Sequence, residues 1–189
     1  TTRERTISHS PLYVVNNNRV FNLLSLMSSE FTIHYWGPLL FRMRIKTEDI
    51  KAVRKICDGA KENFNWSLAG IIDEEITIDK TKYIEILHPY LMAYKQAYRL
   101  WYHKIINKIT ANSAWVNYMK KGECNPPHVH DNCHLSSVLL LQVPETLKKE
   151  QRDWKGNGMG PGGLIFSTGN PQAFHTNIFN FLPEEGDLF

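Results

Sequence analysis

The chain changes character at Ala114, and that change limits the folds open to it. Before Ala114, apolar residues recur at three- and four-residue steps. After it, short apolar segments alternate with turns rich in Pro, Gly, Asn and Asp. Ile50, Val53, Ile56, Cys57, Ala60 and Phe64 mark one face of a helix ending near Asn63. Thr47 reads as its N-cap, with Glu48 and Asp49 in the first turn, where the helix dipole favours negative charge. A second helical region opens after Asp79. Tyr83, Ile84, Leu87, Leu91, Tyr94, Tyr98, Trp101, Ile105 and Ile109 form its apolar stripe, which Pro89 must kink or restart. Such a stripe is core far more often than a cofactor box.

Segments 12–15, 31–36 and 39–45 have strand composition, with Asn16-Asn17-Asn18 as a turn signal. Beyond Ala114, strands are expected at 115–119, 134–143, 163–167, 173–181 and 187–189. Helices first and an antiparallel half second is the α+β pattern. The glycine-rich stretch 156–163 lacks a Gly-Lys-Ser/Thr ending and leads into a strand, so it reads as a loop and not as a phosphate cradle. No repeat or second domain is visible. Residues 1–189 read as one domain: a polar, mobile arm over 1–10, a strand and helical support over 39–113, and a β region over 114–189.

Composition excludes more than it specifies. A chain of 189 residues, 42% hydrophobic and 22% charged, can bury an ordinary globular core. The net charge of +3 is small and the basic residues are dispersed, so nothing points to nucleic acid. No apolar run approaches the roughly 20 residues needed to cross a bilayer. Cys57, Cys124 and Cys133 are an odd set without framework spacing, for which a reducing cytoplasm is the simplest setting. The chain starts at Thr1 without a signal-peptide pattern, and 185–189 reads like a strand just beginning. Both ends therefore read as cut from something longer.

The chemistry concentrates in Asn125-Pro126-Pro127-His128-Val129-His130-Asp131-Asn132-Cys133-His134. Residues i and i+2 of an extended segment share a face, roughly 7 Å apart along the backbone. His128 and His130 can thus converge on one metal ion, and neutral imidazole suits iron, zinc, copper or nickel. A surface loop with solvated histidines is the plain alternative. A third ligand is open: His134 lies about 13 Å beyond His130 in an extended chain, unless a turn intervenes, and Asp131 would need a bulge. Zinc held by Cys124, His128, His130 and Cys133 is chemically sound, but its spacing matches no common finger.

With Trp115-Val116-Asn117-Tyr118, the turn from Gly122 to Asn125, Leu135-Ser136-Ser137-Val138, Gly163-Leu164-Ile165-Phe166 and Pro183-Glu184-Glu185-Gly186-Asp187-Leu188-Phe189, this motif resembles a known family. It is similar to the prolyl-hydroxylase-like iron(II)- and 2-oxoglutarate-dependent oxygenases of marine phages and bacteria, from about residue 39 to 189. Weaker similarity lies in Leu68-Ala69-Gly70 and His88-Pro89-Tyr90. The resemblance implies a double-stranded β-helix, a jelly-roll barrel of the cupin type with N-terminal supporting helices. It implies an Fe(II) cofactor with His128 as first ligand and His130 where relatives often carry a carboxylate. It also implies 2-oxoglutarate as co-substrate, decarboxylated to succinate while an unactivated C–H bond is hydroxylated. Asn117 is expected to face the pocket and hydrogen-bond a co-substrate oxygen.

The chain departs from the family in three respects. His130 replaces Asp or Glu, which suggests a three-histidine site or a role for Asp131. Ser137, Leu139 and Leu140 stand where the family often has Gly and Tyr. The family's distal histidine and the basic residue that pairs with 2-oxoglutarate follow Gly-Asp-Leu-Phe, so the C-terminal strands are expected to be truncated; His175 falls in the wrong strand to replace them. An apolar sheet edge left by truncation is an expected homodimer contact. The competing expectation is a non-catalytic, degenerate β-barrel with a structural or assembly role. Substrate choice resides in loops and is not legible.

Overall fold

The computed structural model describes residues 38–169 and 177–189. The arm over 1–10, the strands expected at 12–15 and 31–36, His175 and the first part of 173–181 lie outside the described residues. Element order is β1 (Met43–Arg44), α1 (Thr47–Asp58), β2 (Glu62–Asn63), β3 (Glu75–Thr77), α2 (Lys80–Tyr102), β4 (Trp115–Asn117), α3 (Glu145–Asp153), β5 (Leu164–Ser167), β6 (Ile178–Phe181) and β7 (Asp187–Leu188). A single 3₁₀ turn covers Asn65–Ser67. The strands pair antiparallel in three small sheets: β1 with β7, β2-β3-β4, and β5 with β6. No closed barrel forms among the described residues. Among them, too, no helix is long and apolar enough to cross a membrane.

α1 buries Ile50, Val53 and Cys57, the face its periodicity predicts. Its boundaries differ from the sequence expectation. Lys46 occupies the N-cap position without a side-chain cap, and Thr47 is the first helical residue. The helix stops at Asp58, because 62–63 leaves to pair with β3 and Phe64 turns to stack on Trp115. α2 is continuous across Pro89. Its start is fixed by Asp79, whose carboxylate accepts from the Thr81 and Lys82 amides at 3.0 and 3.1 Å. His103 ends it in the left-handed region at φ 54°, so Ile105 and Ile109 fall beyond the helix.

The two helices pack into two small cores. One holds Ile45, Ile50, Leu87, Tyr90 and Leu188; the other holds Val53, Cys57, Ile78 and Ala114. Tyr83, Leu139 and Leu141 touch both and join them. The 134–143 segment forms no regular strand, yet it pairs with the chain's closing strap. Val138 and Phe189 exchange amide–carbonyl bonds at 2.9–3.0 Å, and the Leu140 amide reaches the Asp187 carbonyl at 2.9 Å. The strap is thus held between β1 on one side and 138–140 on the other.

Arginines fix that strap. Asp187, 1% exposed, accepts from Arg42 Nη2 at 2.7 Å and Nε at 3.3 Å, from Arg44 Nε at 3.2 Å and from the Glu184 amide at 2.8 Å. Arg42 also lies 5.3 Å from the ring centroids of both Phe181 and Phe189, a cation–π contact with each. Arg54 binds Glu185 at 2.9 Å. Gly186 makes the turn possible. Its φ is +85°, and a Cβ there would meet Ile50 Cδ1 at 2.9 Å.

Candidate functional site

The site begins with strand register. β3 and β4 pair Glu75 with Asn117 and Thr77 with Trp115. Directly opposed residues share a sheet face, so Glu75, Thr77, Trp115 and Asn117 project together. Phe64, released from α1, stacks on Trp115 at 4.9 Å with the rings 14° apart. Trp66 covers the far side of Phe64 at 5.2 Å and is 80% exposed.

The histidine motif is delivered to this face by a backbone bridge. The Ile71 amide donates to the Cys124 carbonyl at 2.9 Å, and the Cys124 amide returns to Ile71 at 3.1 Å. Gly70 permits the approach, since a Cβ there would stand 2.1 Å from the Cys124 oxygen and 2.8 Å from Asn125 Cα. After the Pro126-Pro127 turn, His130 rests against Trp115 at 5.4 Å between ring centroids. His128 lies beside it, with centroids 4.8 Å apart and rings at 74°. Both histidines are exposed.

Two observations define their chemistry. His128 Nδ1 is 2.8 Å from the Pro126 carbonyl, which can only accept. Nδ1 therefore donates, and it is only in the neutral ring that Nε2 offers a lone pair. Burial, reinforced by the charge of His128, holds the His130 pKa below its ordinary value, which favours the neutral, ligating form. The two rings are close neighbours packed edge to face.

The residues expected to complete a metal site do not gather around the pair. Among the described residues, no group of three or more His, Cys, Asp and Glu side chains is arranged to hold a metal ion. Asp131 and His134 are exposed, with Asn132 turning between them at φ 59°. Cys133 Sγ is engaged with the His130 carbonyl at 3.5 Å and Ser136 Oγ at 3.4 Å, and Cys124 is exposed on the bridge. The zinc set of Cys124, His128, His130 and Cys133 is therefore not assembled.

Asn117 lies in the cluster, and its two polar atoms differ. Its amide group donates to the Glu75 carboxyl, as does the Trp115 indole. Its Oδ1 is buried and has no hydrogen-bond partner among the described residues. The open atom is an acceptor, matched to an arriving O–H or N–H. Glu75 is the member that sequence reasoning missed. It is 4% exposed, and its amide donates to Asn65 Oδ1 at 2.9 Å. Burial pushes its carboxyl above the ordinary range, against the pull of Asn117, His128 and Trp115. The one signal in the sequence was a charged residue at the start of an alternating run, Glu75-Ile76-Thr77-Ile78.

No curated protein and no solved structure matches the chain. Residues 113–189, which carry β4, the histidine motif and the closing strap, match the family model described as putative 2OG-Fe(II) oxygenase, the family that the order of the sequence motifs resembles.

Proposed function

We propose that the protein is an iron(II)- and 2-oxoglutarate-dependent hydroxylase with a double-stranded β-helix core, in which His128 and His130 are two metal ligands. The adjacency of the two imidazoles carries this reading: their centroids lie 4.8 Å apart, the His128 Nδ1 is taken by the Pro126 carbonyl, and burial favours the neutral form of His130. The family match over 113–189 supports it. Bound iron(II) would supply oxidative decarboxylation of 2-oxoglutarate coupled to hydroxylation of a C–H bond.

The chain's own residues have separate tasks. The Pro126 carbonyl fixes the His128 tautomer, as carbonyl partners of ligating histidines do. Trp115 backs one side of the His130 ring. Asn117 Oδ1 accepts from a hydroxyl or water at the wall of the site. The three cysteines are free, which suits a reducing cytoplasm.

In the full protein supplied with iron(II), His128→Ala is expected to abolish succinate formation from 2-oxoglutarate; undiminished turnover would end the proposal. A second reading, a non-catalytic barrel, is favoured by one observation, the meeting of only two ligands among the described residues. Metal content separates the two. Stoichiometric iron or nickel, lost when both histidines are replaced, supports the enzyme.

A further inference from the structure

The chain beyond α2 builds a second surface that shares no residue with the histidine site. His103 closes the helix in the left-handed region, its amide donating to the Arg99 carbonyl at 3.0 Å, and that conformation at a helix end turns the chain away from the axis. Two lysines on α2 then hold the returning segment. Lys95 Nζ donates to the Asn107 carbonyl at 3.2 Å, and Lys80 Nζ donates to the Asn112 carbonyl at 2.9 Å. Between helix and returning chain lies an open groove of about 270 Å³. Met92, Ile105 and Ile106 form its apolar part, and Lys95, Arg99 and Asn107 stand among them. Met92 is 41% exposed and Ile105 69%. Apolar side chains held open in a concave, charge-flanked surface mark a place for a partner.

Charge, size and main chain together name the occupant. The stretch 86–122 contains no Asp or Glu, while Lys95 and Arg99 line the groove and Lys104 and Lys108 flank its outer wall in sequence. None of these four cations pairs with a carboxylate among the described residues. The groove therefore carries a local positive potential with no internal acid competing for it. Its volume falls below the roughly 300–1,000 Å³ of sites that enclose a whole small molecule, so it suits an anchoring side chain. No amide of 104–111 donates to a main-chain carbonyl among the described residues, which leaves donors for the carbonyls that a polypeptide supplies in series. We propose that this groove docks an acidic peptide segment of a partner protein. One bulky apolar side chain of that segment enters between Met92 and Ile105, and a neighbouring carboxylate meets the Arg99 guanidinium, whose fork matches it. The inference does not depend on metal at the histidine pair.

The test is a titration of the full protein, methyl-labelled at Ile, Leu and Met, with a short synthetic peptide of leucines at helical spacing among glutamates. The Met92, Ile105 and Ile106 methyl signals are expected to shift saturably. A peptide with Lys for each Glu, and one with Ser for each Leu, are expected to leave them in place. Arg99→Gln removes one charge-assisted contact and Ile105→Ser removes one apolar wall; each is expected to weaken binding about tenfold. Both residues are exposed, and unchanged Leu87 methyl signals from the core confirm that the variants stay folded. Absence of a saturable shift at millimolar peptide, equal binding of the Lys peptide, or parent-like affinity in either variant overturns the proposal. Nuclear Overhauser contacts from these methyls to residues 1–37 in the free protein overturn it in favour of the chain's own segment. Octanoate that binds as tightly as the peptide overturns it in favour of a free acid, and phosphatidylserine vesicles that bind where the peptide does not overturn it in favour of a membrane surface.

Discussion

Asp187→Asn tests whether the closing strap is held by charge. The Asp187 side chain is 2% exposed and takes three contacts from Arg42 and Arg44, plus one from the Glu184 amide. Asn keeps the shape and can still accept from the amide, but it loses the charge. Breaking a fully buried pair costs about 3–5 kcal/mol, whereas an exposed pair contributes about 0–1 kcal/mol. The guanidinium partners keep 38% and 49% of their side chains in contact with water, so they rehydrate when released. A loss of about 2 kcal/mol follows, between those limits. For a chain of this size it lowers Tm by about 4–8 °C.

The sign of the pH dependence is fixed as well. Burial alone would raise the Asp187 pKa; Arg42, the Glu184 amide and Arg44 outweigh it and hold the carboxyl below its ordinary value. Its stabilisation is thus complete above the unfolded-state pKa of about 3.9 and fades as pH falls through the lower folded value. Urea unfolding followed by tryptophan fluorescence, from pH 7 down to about 3, reads both effects. A gap between parent and variant under about 0.5 kcal/mol at pH 7, or one that does not narrow on acidification, would refute the reasoning.

Two further outcomes are expected. Leu87 is 1% exposed in the core beneath α2, so Leu87→Ala should cost about 2–5 kcal/mol, visible as a lower urea midpoint with unchanged slope. Gly70→Ala forces the Ile71–Cys124 bridge apart. Hydrogen exchange at those two amides should accelerate while the α2 amides keep their protection; unchanged exchange at the bridge would count against the close-approach argument.

The helical half was largely legible because its periodicity is strong: the buried face of α1 and the Asp79 start of α2 are written in residue spacing. The end of α1 was not, because Phe64 continues the apolar rhythm while its packing partner, Trp115, lies some fifty residues away. α3 escaped notice since Glu145–Asp153 carries a single apolar residue of any size, Leu147, and buries no residue fully, so no period shows. The 39–45 strand shrank to Met43–Arg44, where β7 supplies the only ladder partner among the described residues. At the site, the histidine pair announced itself through local spacing. Glu75 did not, because its significance depends on the register of β3 against β4, which no local pattern encodes.

The run of rings from Trp66 through Phe64 and Trp115 to His130 equips the molecule with an optical gauge of its own histidines. One indole stands in water at the outer end and the other touches the imidazole at the inner end. Emission from the inner indole therefore responds to whatever protonates, ligates or displaces that imidazole, and a Trp115→Phe variant isolates its share from the other four tryptophans of the chain.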